Sequence, residues 1–339
     1  MKKFNVGVVG IGTVGTEIVK VLRERKFPVG ELRILARTER DEIIAGEKLH
    51  VTPASAEACK GLDFAIFAGT EGAKGASKLY GWDAVKAGAI VIDNGDDFRM
   101  DPRVPLVIPE INADAMRRHQ GFISNPNCST IIALMAIAPL YKAVKIRRIV
   151  VSTYQSVSGT GREAILELEQ QARDYAAGKP FAVKAYPHRI AFNVLPQVGS
   201  FKDEGRGNTT EELKMLNETR KILGDPSIRV ASTCARVPVF YGHSESVNLE
   251  FEKPMSPDRA REILSKARGV TLVDDPAGSL YPMAIDCAGK DDCLVGRIRA
   301  DDSVENGLAL WVAGDNIRKG AALNAVQIAE KMIEMGMKS

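Results

Sequence analysis

The stretch SNPNCSTIIALMAIAPL, from Ser124 to Leu140, sets a cysteine beside two asparagines and ahead of a long apolar run. Asn125-Pro126-Asn127 predicts a turn, Asn127 a helix cap and Cys128 a place in the first helical turn. Unpaired amides and the helix dipole favour a thiolate there. Ile131, Ile132, Leu134 and Met135 supply the buried helix face, so a purely structural cysteine belongs within that run rather than in front of it. A thiolate nucleophile needs a partner that moves a proton. The chain has four histidines, His50, His119, His188 and His243. His243, in RVPVFYGHSES, follows a turn glycine and is expected in a loop before the strand VNLEFE; His188, in AYPHRIAFNVLP, fits a structural role equally well. Cys59, Cys234, Cys287 and Cys293 have no comparable setting and are expected in the core. No HExxH or Cys/His spacing points to zinc, so no metal is expected.

The elements that position this chemistry begin at the N-terminus. FNVGVVGIGTVG predicts a buried strand and a tight turn, with Gly10, Gly12 and Gly15 forming GxGxxG around Thr13 and Val14, then a helix over Thr16–Arg25. Gly10 permits the turn, Gly12 lets a pyrophosphate approach the backbone, and Gly15 allows close helix–strand packing. The helix N-terminus then faces the anion. The next strand, ELRILAR, ends in Ala36-Arg37-Thr38 rather than in the acidic residue that meets ribose hydroxyls in NAD sites. Arg37, with Thr38 and Arg40, suits a 2′-phosphate and favours NADP; a solvated loop is the plainer alternative. Strands at Phe64–Ala68 and Ala89–Asp93, with a helix over Ala73–Lys86 between them, continue a βαβ rhythm.

Composition bounds the remainder. The 339 residues fit two domains, and 45% apolar residues provide a substantial core. A net charge of +3, spread along the chain, does not make a nucleic-acid face. Five cysteines without a CxxC pair fit a reducing compartment, and MKKFNVGVVGIG has no signal-peptide pattern, so a cytoplasmic location is expected. The apolar run near Ile131 is too short to span a bilayer.

Over essentially its full length the chain resembles the aspartate-semialdehyde dehydrogenase family, through SNPNCSTI, YQSVSGTGREA, RVPVFYGHSES, FRMDPRVPLVIPEIN and GDNIRKGAALNAVQIAE. The resemblance implies NADPH-dependent conversion of L-aspartyl-4-phosphate to L-aspartate 4-semialdehyde and phosphate, on the route to lysine, methionine, threonine, isoleucine and, in bacteria, diaminopimelate. It implies Cys128 as nucleophile, His243 as general acid/base and Gln155 as the residue that orients the acyl intermediate. Arg236 is implied for the substrate α-carboxylate, Glu211 for the amino group, Lys214 and Arg99 for phosphate, and Asn127 beside the nucleophile. Asn316 and Gly159 are implied on the cofactor side. Plainer roles exist: a loop cap for Gln155, a Glu211–Lys214 pair one helical turn apart, an ion pair of Arg99 with Asp96, Asp97 or Asp101, and a strand cap for Arg236.

Two departures stand out. GIGTVG is one residue shorter than the GATGxVG common in the family. IDNGDDFRM replaces IDNSSxFRM, so Gly95 and Asp96 stand where two serines would, and an added carboxylate would repel a nearby cofactor phosphate unless it points away.

The implied architecture is α/β: a Rossmann-type dinucleotide-binding domain over 1–127, completed by a C-terminal helix over 313–339, and an α+β catalytic and dimerisation domain with a mixed sheet over 128–312, as in glyceraldehyde-3-phosphate dehydrogenase-like enzymes. The final helical run is expected over Lys319–Met337. A homodimer is implied, with a dimer of dimers left open. The alternatives are another phosphorylating acyl dehydrogenase, such as N-acetyl-glutamyl-phosphate reductase, a non-catalytic paralogue and a thiol hydrolase. Retention of Cys128 and His243 weighs against the paralogue, the Glu211, Lys214 and Arg236 set against the other dehydrogenases, and the glycine fingerprint against the hydrolase.

Overall fold

The computed structural model describes residues 2–68 and 75–338. The chain divides into two compact units, Met1–Asn127 with Ala321–Ser339, and Cys128–Gly320.

The first unit opens with β1 (Phe4–Val9), α1 (Thr13–Glu24), β2 (Val29–Ala36), β3 (Arg40–Ile44), β4 (Glu47–Pro53) and β5 (Phe64–Phe67). It continues with α2 (Ala76–Lys86), β6 (Ile90–Asp93), α3 (Pro109–Asn112) and β7 (Phe122–Ser124). Its seven-stranded sheet has the order β3-β4-β2-β1-β5-β6-β7. All neighbours are parallel except β3 and β4, which form an antiparallel hairpin. β5 and β6 are buried on both faces, the expected state of central parallel strands covered by helices. α1 packs Ile18, Val19, Val21 and Leu22 into the core. It begins at Thr13, three residues before the predicted start, because the glycine turn runs directly into the helix. The predicted helix over 73–86 is observed as Ala76–Lys86; Ala73 and Lys74 lie outside the described residues.

The second unit holds α4 (Cys128–Ala143), β8 (Ile146–Gln155), α5 (Arg162–Ala176), α6 (Thr210–Leu223), β9 (Arg229–Arg236) and β10 (His243–Phe251). It ends with α7 (Pro257–Leu264), β11 (Val270–Leu272), α8 (Ala284–Cys287), β12 (Cys293–Asp301) and β13 (Gly307–Gly314). The mixed sheet has the order β11-β12-β13-β10-β8-β9. α4 is buried almost all round, which explains its nearly unbroken apolar sequence. A capping box formed by Thr209 and Glu212 fixes the start of α6.

The chain returns to the first unit at Ala321, not at 313. Residues 313 and 314 finish β13, whose hydrogen bonds to β10 and β12 hold them in the mixed sheet. The final helical run is a π-helical turn over Arg318–Ala322 followed by α9 (Leu323–Glu334). His243 is not in a loop: it is the first residue of β10, paired with Gly314.

Candidate active site

In the first unit the glycine turn strips side chains from the end of β1. Gly10 has φ 95° and donates its N–H to the Leu35 carbonyl at 2.7 Å. A Cβ on Gly15 would overlap the Gly10 carbonyl oxygen, so only glycine fits there. A Cβ on Gly12 would meet no atom within 4 Å, which leaves the backbone open at the start of α1. A cavity of about 650 Å³ adjoins this turn, lined by Gly10, Gly12, Ala36, Arg37 and Arg40 among others. It lies at the carboxyl ends of β1 and β2, beside the point where the strand order reverses. Thr13 opens α1 and Val14 packs on the core. Thr38 Oγ1 accepts from Arg40 Nη1 at 3.2 Å, and Arg40 also pairs with Glu42. These features fit a nicotinamide dinucleotide: a bare helix N-terminus for its pyrophosphate and cationic side chains on the cavity wall.

Arg99 is buried in the same unit, its Nε donating to the Asn125 carbonyl at 3.0 Å and its Nη2 to the Asn94 carbonyl at 2.7 Å. Asn324 of α9 donates to Asn125 Oδ1 at 2.6 Å, so the returning helix braces the loop ahead of the cysteine. Asn127, also buried, is the last residue of the first segment. Asp93 accepts the Gly95 N–H at 2.9 Å through Oδ1, while its Oδ2 is buried without a partner. Burial pushes this carboxyl up to about 6. Asp96 is half-buried and closes a turn, its carbonyl accepting the Arg99 N–H.

In the second unit, adjacent strand ends converge. β8 ends at Gln155, its parallel neighbour β9 ends opposite it at Arg236, and antiparallel β10 starts at His243. Cys128, the first residue of α4, is half-buried and its Sγ lies 3.5 Å from His243 Nε2. Gln155 Nε2 donates to Glu211 Oε1 at 3.3 Å and to Thr153 Oγ1 at 3.2 Å. Glu211 is buried in the first turn of α6, and Lys214 lies 3.9 Å from it. Arg236 is buried; its Nη1 donates to the Ser156 carbonyl at 2.7 Å, while its Nε is a buried donor with no partner. Gly159 packs against the pair: a Cβ there would stand 2.9 Å from Arg236 Nη1 and 3.2 Å from His243 Cε1. His243 is fully buried; burial and, after it, the Arg236 charge hold its imidazole well below the usual histidine range.

Sequence reasoning missed Ser156 and Glu245 behind these side chains and named Asn316 only for the cofactor side. Ser156 donates its N–H to His243 Nδ1 at 3.1 Å, and its hydroxyl lies at the same distance from Nδ1. Asn316 Oδ1 accepts from the hydroxyls of Ser156 and Ser158 and from the Gly242 N–H, each at 3.1 Å. Glu245, one strand repeat beyond His243, is fully buried with both carboxyl oxygens unpartnered. Burial, with the Glu211 charge behind it, pushes its carboxyl well above the usual range, which favours the neutral acid. The two serines of SVSG were the available signal for the first group; an inward strand position was the only signal for Glu245. The remaining cysteines are buried, and burial pushes the thiols of Cys59, Cys234 and Cys287 up. Among the described residues no His/Cys/Asp/Glu group could hold a metal ion, and no helix is long and apolar enough to cross a membrane.

A mostly parallel nucleotide-type sheet, followed by a mixed sheet with a histidine at a strand end facing a cysteine at a helix start, defines a two-domain dehydrogenase. The semialdehyde dehydrogenase class follows from two family models: residues 5–119 match its NAD binding domain and residues 137–319 its dimerisation domain. Aspartate-semialdehyde dehydrogenase of Aquifex aeolicus is 47% identical over 98% of this chain and 99% of its own. That of Bacillus subtilis is 42% identical over 98% of each. A crystal structure of aspartate semialdehyde dehydrogenase II from Vibrio cholerae superimposes with a TM-score of 0.92 at 42% identity, covering 98% of this chain and 99% of that one. The chain belongs to the aspartate-semialdehyde dehydrogenase family.

Proposed function

We propose that the chain reduces L-aspartyl-4-phosphate to L-aspartate 4-semialdehyde with NADPH, as a homodimer in amino-acid biosynthesis. The observation that carries this reading is the Cys128–His243 contact of 3.5 Å beside a buried arginine whose Nε lacks a partner. An arginine fork suits a planar carboxylate, so Arg236 takes the α-carboxylate. Glu211, braced by Gln155, takes the ammonium. Cys128 Sγ attacks the acyl carbon and the C–O bond to phosphate breaks, leaving a thioester on the enzyme. His243 holds or supplies the proton that the departing oxygen needs. Gln155 orients the acyl group, and Arg99, Lys214 and Asn127 offset the phosphate charge.

When bound, the nicotinamide dinucleotide supplies the hydride that the thioester carbon accepts. The C–S bond then breaks, releasing the aldehyde and returning the thiolate. Cysteine suits this exchange because sulfur is a less basic leaving group than an alkoxide. Gly10, Gly12, Thr13, Val14 and Gly15 would hold the pyrophosphate, with Arg37 and Thr38 at a 2′-phosphate and Gly159 and Asn316 on the nicotinamide side. The test runs the reaction backwards with aspartate semialdehyde, phosphate and either NADP or NAD, following absorbance of the reduced cofactor. Phosphate-dependent reduction of NADP, lost in Cys128→Ala, is expected. Preference for NAD would overturn the role given to Arg37, and no reduction with either would overturn the function.

A further inference from the structure

Burial and the Arg236 charge favour a neutral imidazole at His243, which carries one hydrogen, and the ring's contacts fix which nitrogen holds it. The Ser156 main-chain N–H points at Nδ1 from 3.1 Å, and an amide can only donate. Nδ1 must therefore present its lone pair. The hydrogen sits on Nε2, which faces Cys128 Sγ at 3.5 Å. The Ser156 hydroxyl lies 3.1 Å from Nδ1 and is held by Asn316 Oδ1, also at 3.1 Å. Asn316 is itself pinned by Ser158 and by the Gly242 N–H. The Ser156 carbonyl accepts from Arg236 Nη1, so this one residue ties together the histidine, the buried arginine and the asparagine.

We propose that Ser156, fixed by Asn316, is the positioning residue of His243, and that it makes the ring a proton donor toward Cys128 and the bound acyl group rather than the base that ionises the resting cysteine. The inference rests on the roles given above to Cys128 and His243. For the ring to take the cysteine proton it would need hydrogens on both nitrogens. The Nδ1 hydrogen would then oppose the Ser156 N–H and turn to the Ser156 hydroxyl, whose own hydrogen passes to Asn316 Oδ1. That chain ends in a neutral amide, where the acyl-transfer triads place a carboxylate that stabilises the imidazolium. Among the titratable and charged groups, Arg236 from β9 opposes the charge, Cys128 of α4 is the group whose proton is at issue, and Glu245 of β10 is pushed toward its neutral form by burial and by Glu211 of α6. Burial acts in the same direction as Arg236 and is the largest influence, whereas the Gly242 backbone, the smallest, favours the charged ring.

The test is nitrogen-15 NMR of the histidine side chains in the free enzyme, with the His243 signal assigned by its loss in His243→Gln. A neutral ring protonated on Nε2, unchanging from about pH 6 to about pH 8, is expected. A ring that is charged in that range, or protonated on Nδ1, overturns the proposal. In Asn316→Asp a carboxylate ends the chain, so the ring should begin to titrate in the same window and the acid limb of the kcat profile should move up by about one pH unit. Ser156→Ala removes the hydroxyl but keeps the amide. It should keep the tautomer, lower kcat by about tenfold and leave KM for the semialdehyde within about twofold. A Ser156→Ala enzyme with unchanged kcat would leave the hydroxyl no role and overturn that part. The resonances are read without substrate, so failure of the tautomer and failure of the enzymatic reading are separate outcomes.

Discussion

Asp93 offers the sharpest quantitative test in the nucleotide-binding unit. It ends β6, is 1% exposed, and has one oxygen held by the Gly95 N–H and the other buried without a partner. Burial raises its carboxyl from 3.8 to about 6. The folded chain therefore keeps this proton to a higher pH than the unfolded chain does, and unfolding releases it. Stability from this site is complete below the unfolded value, declines as pH rises through the folded value, and stays lower above it. A gap of about 2 pH units corresponds to about 3 kcal/mol. Asp93→Asn keeps an oxygen for Gly95 and has no proton to lose. Its stability relative to the parent should therefore rise by about 3 kcal/mol between about pH 4 and about pH 8, with most of the change below about pH 6. Trp82, packed against Phe98 and Phe122 in this unit, is the reporter for urea unfolding in a Trp311→Phe background. A stability gap that stays within about 0.5 kcal/mol across that range would show that Asp93 ionises freely, and the reasoning would fail.

Gly159→Ala would press a methyl against Arg236 Nη1 and the His243 ring. We expect kcat/KM to fall by about 10²-fold with a modest loss of stability, and wild-type kinetics would refute the packing account. Arg236→Lys replaces a fork by a point charge; KM for the semialdehyde should rise about tenfold or more with a smaller change in kcat, and an unchanged KM would remove Arg236 from carboxylate binding. Glu245→Gln should flatten the fall in stability that the parent shows as pH rises above the ordinary glutamate range. The raised carboxyl stabilises only while protonated, so a parent and variant with parallel pH–stability curves would show that Glu245 is not held neutral.

Local patterns were legible where one short segment carries the whole constraint. GIGTVG specifies a turn that admits only glycine at Gly15, and the apolar run after Cys128 specifies a helix buried almost all round. The helix boundary at Thr13 was misplaced because turn and helix overlap at the glycines. The β3–β4 hairpin went unread because its residues are largely exposed and polar, so neither strand shows a clean apolar face. His243 looked like a loop residue because Gly242 precedes it, yet pairing with Gly314 makes it a strand residue. The least legible feature is the set behind His243. Ser156 and Asn316 are 160 residues apart in sequence, and only the pairing of β8, β10 and β13 brings them together. Glycine and helix signals are local, whereas hydrogen bonds across a mixed sheet are not.

The central claim is that Cys128 carries the acyl group. The direct measurement is mass spectrometry of the enzyme mixed with L-aspartyl-4-phosphate without NADPH, quenched in acid and digested. The account predicts an aspartyl adduct on the peptide that contains Cys128, discharged when NADPH is added before the quench and missing in Cys128→Ala. An active enzyme that shows no adduct on Cys128, or shows it on another residue, would contradict the account.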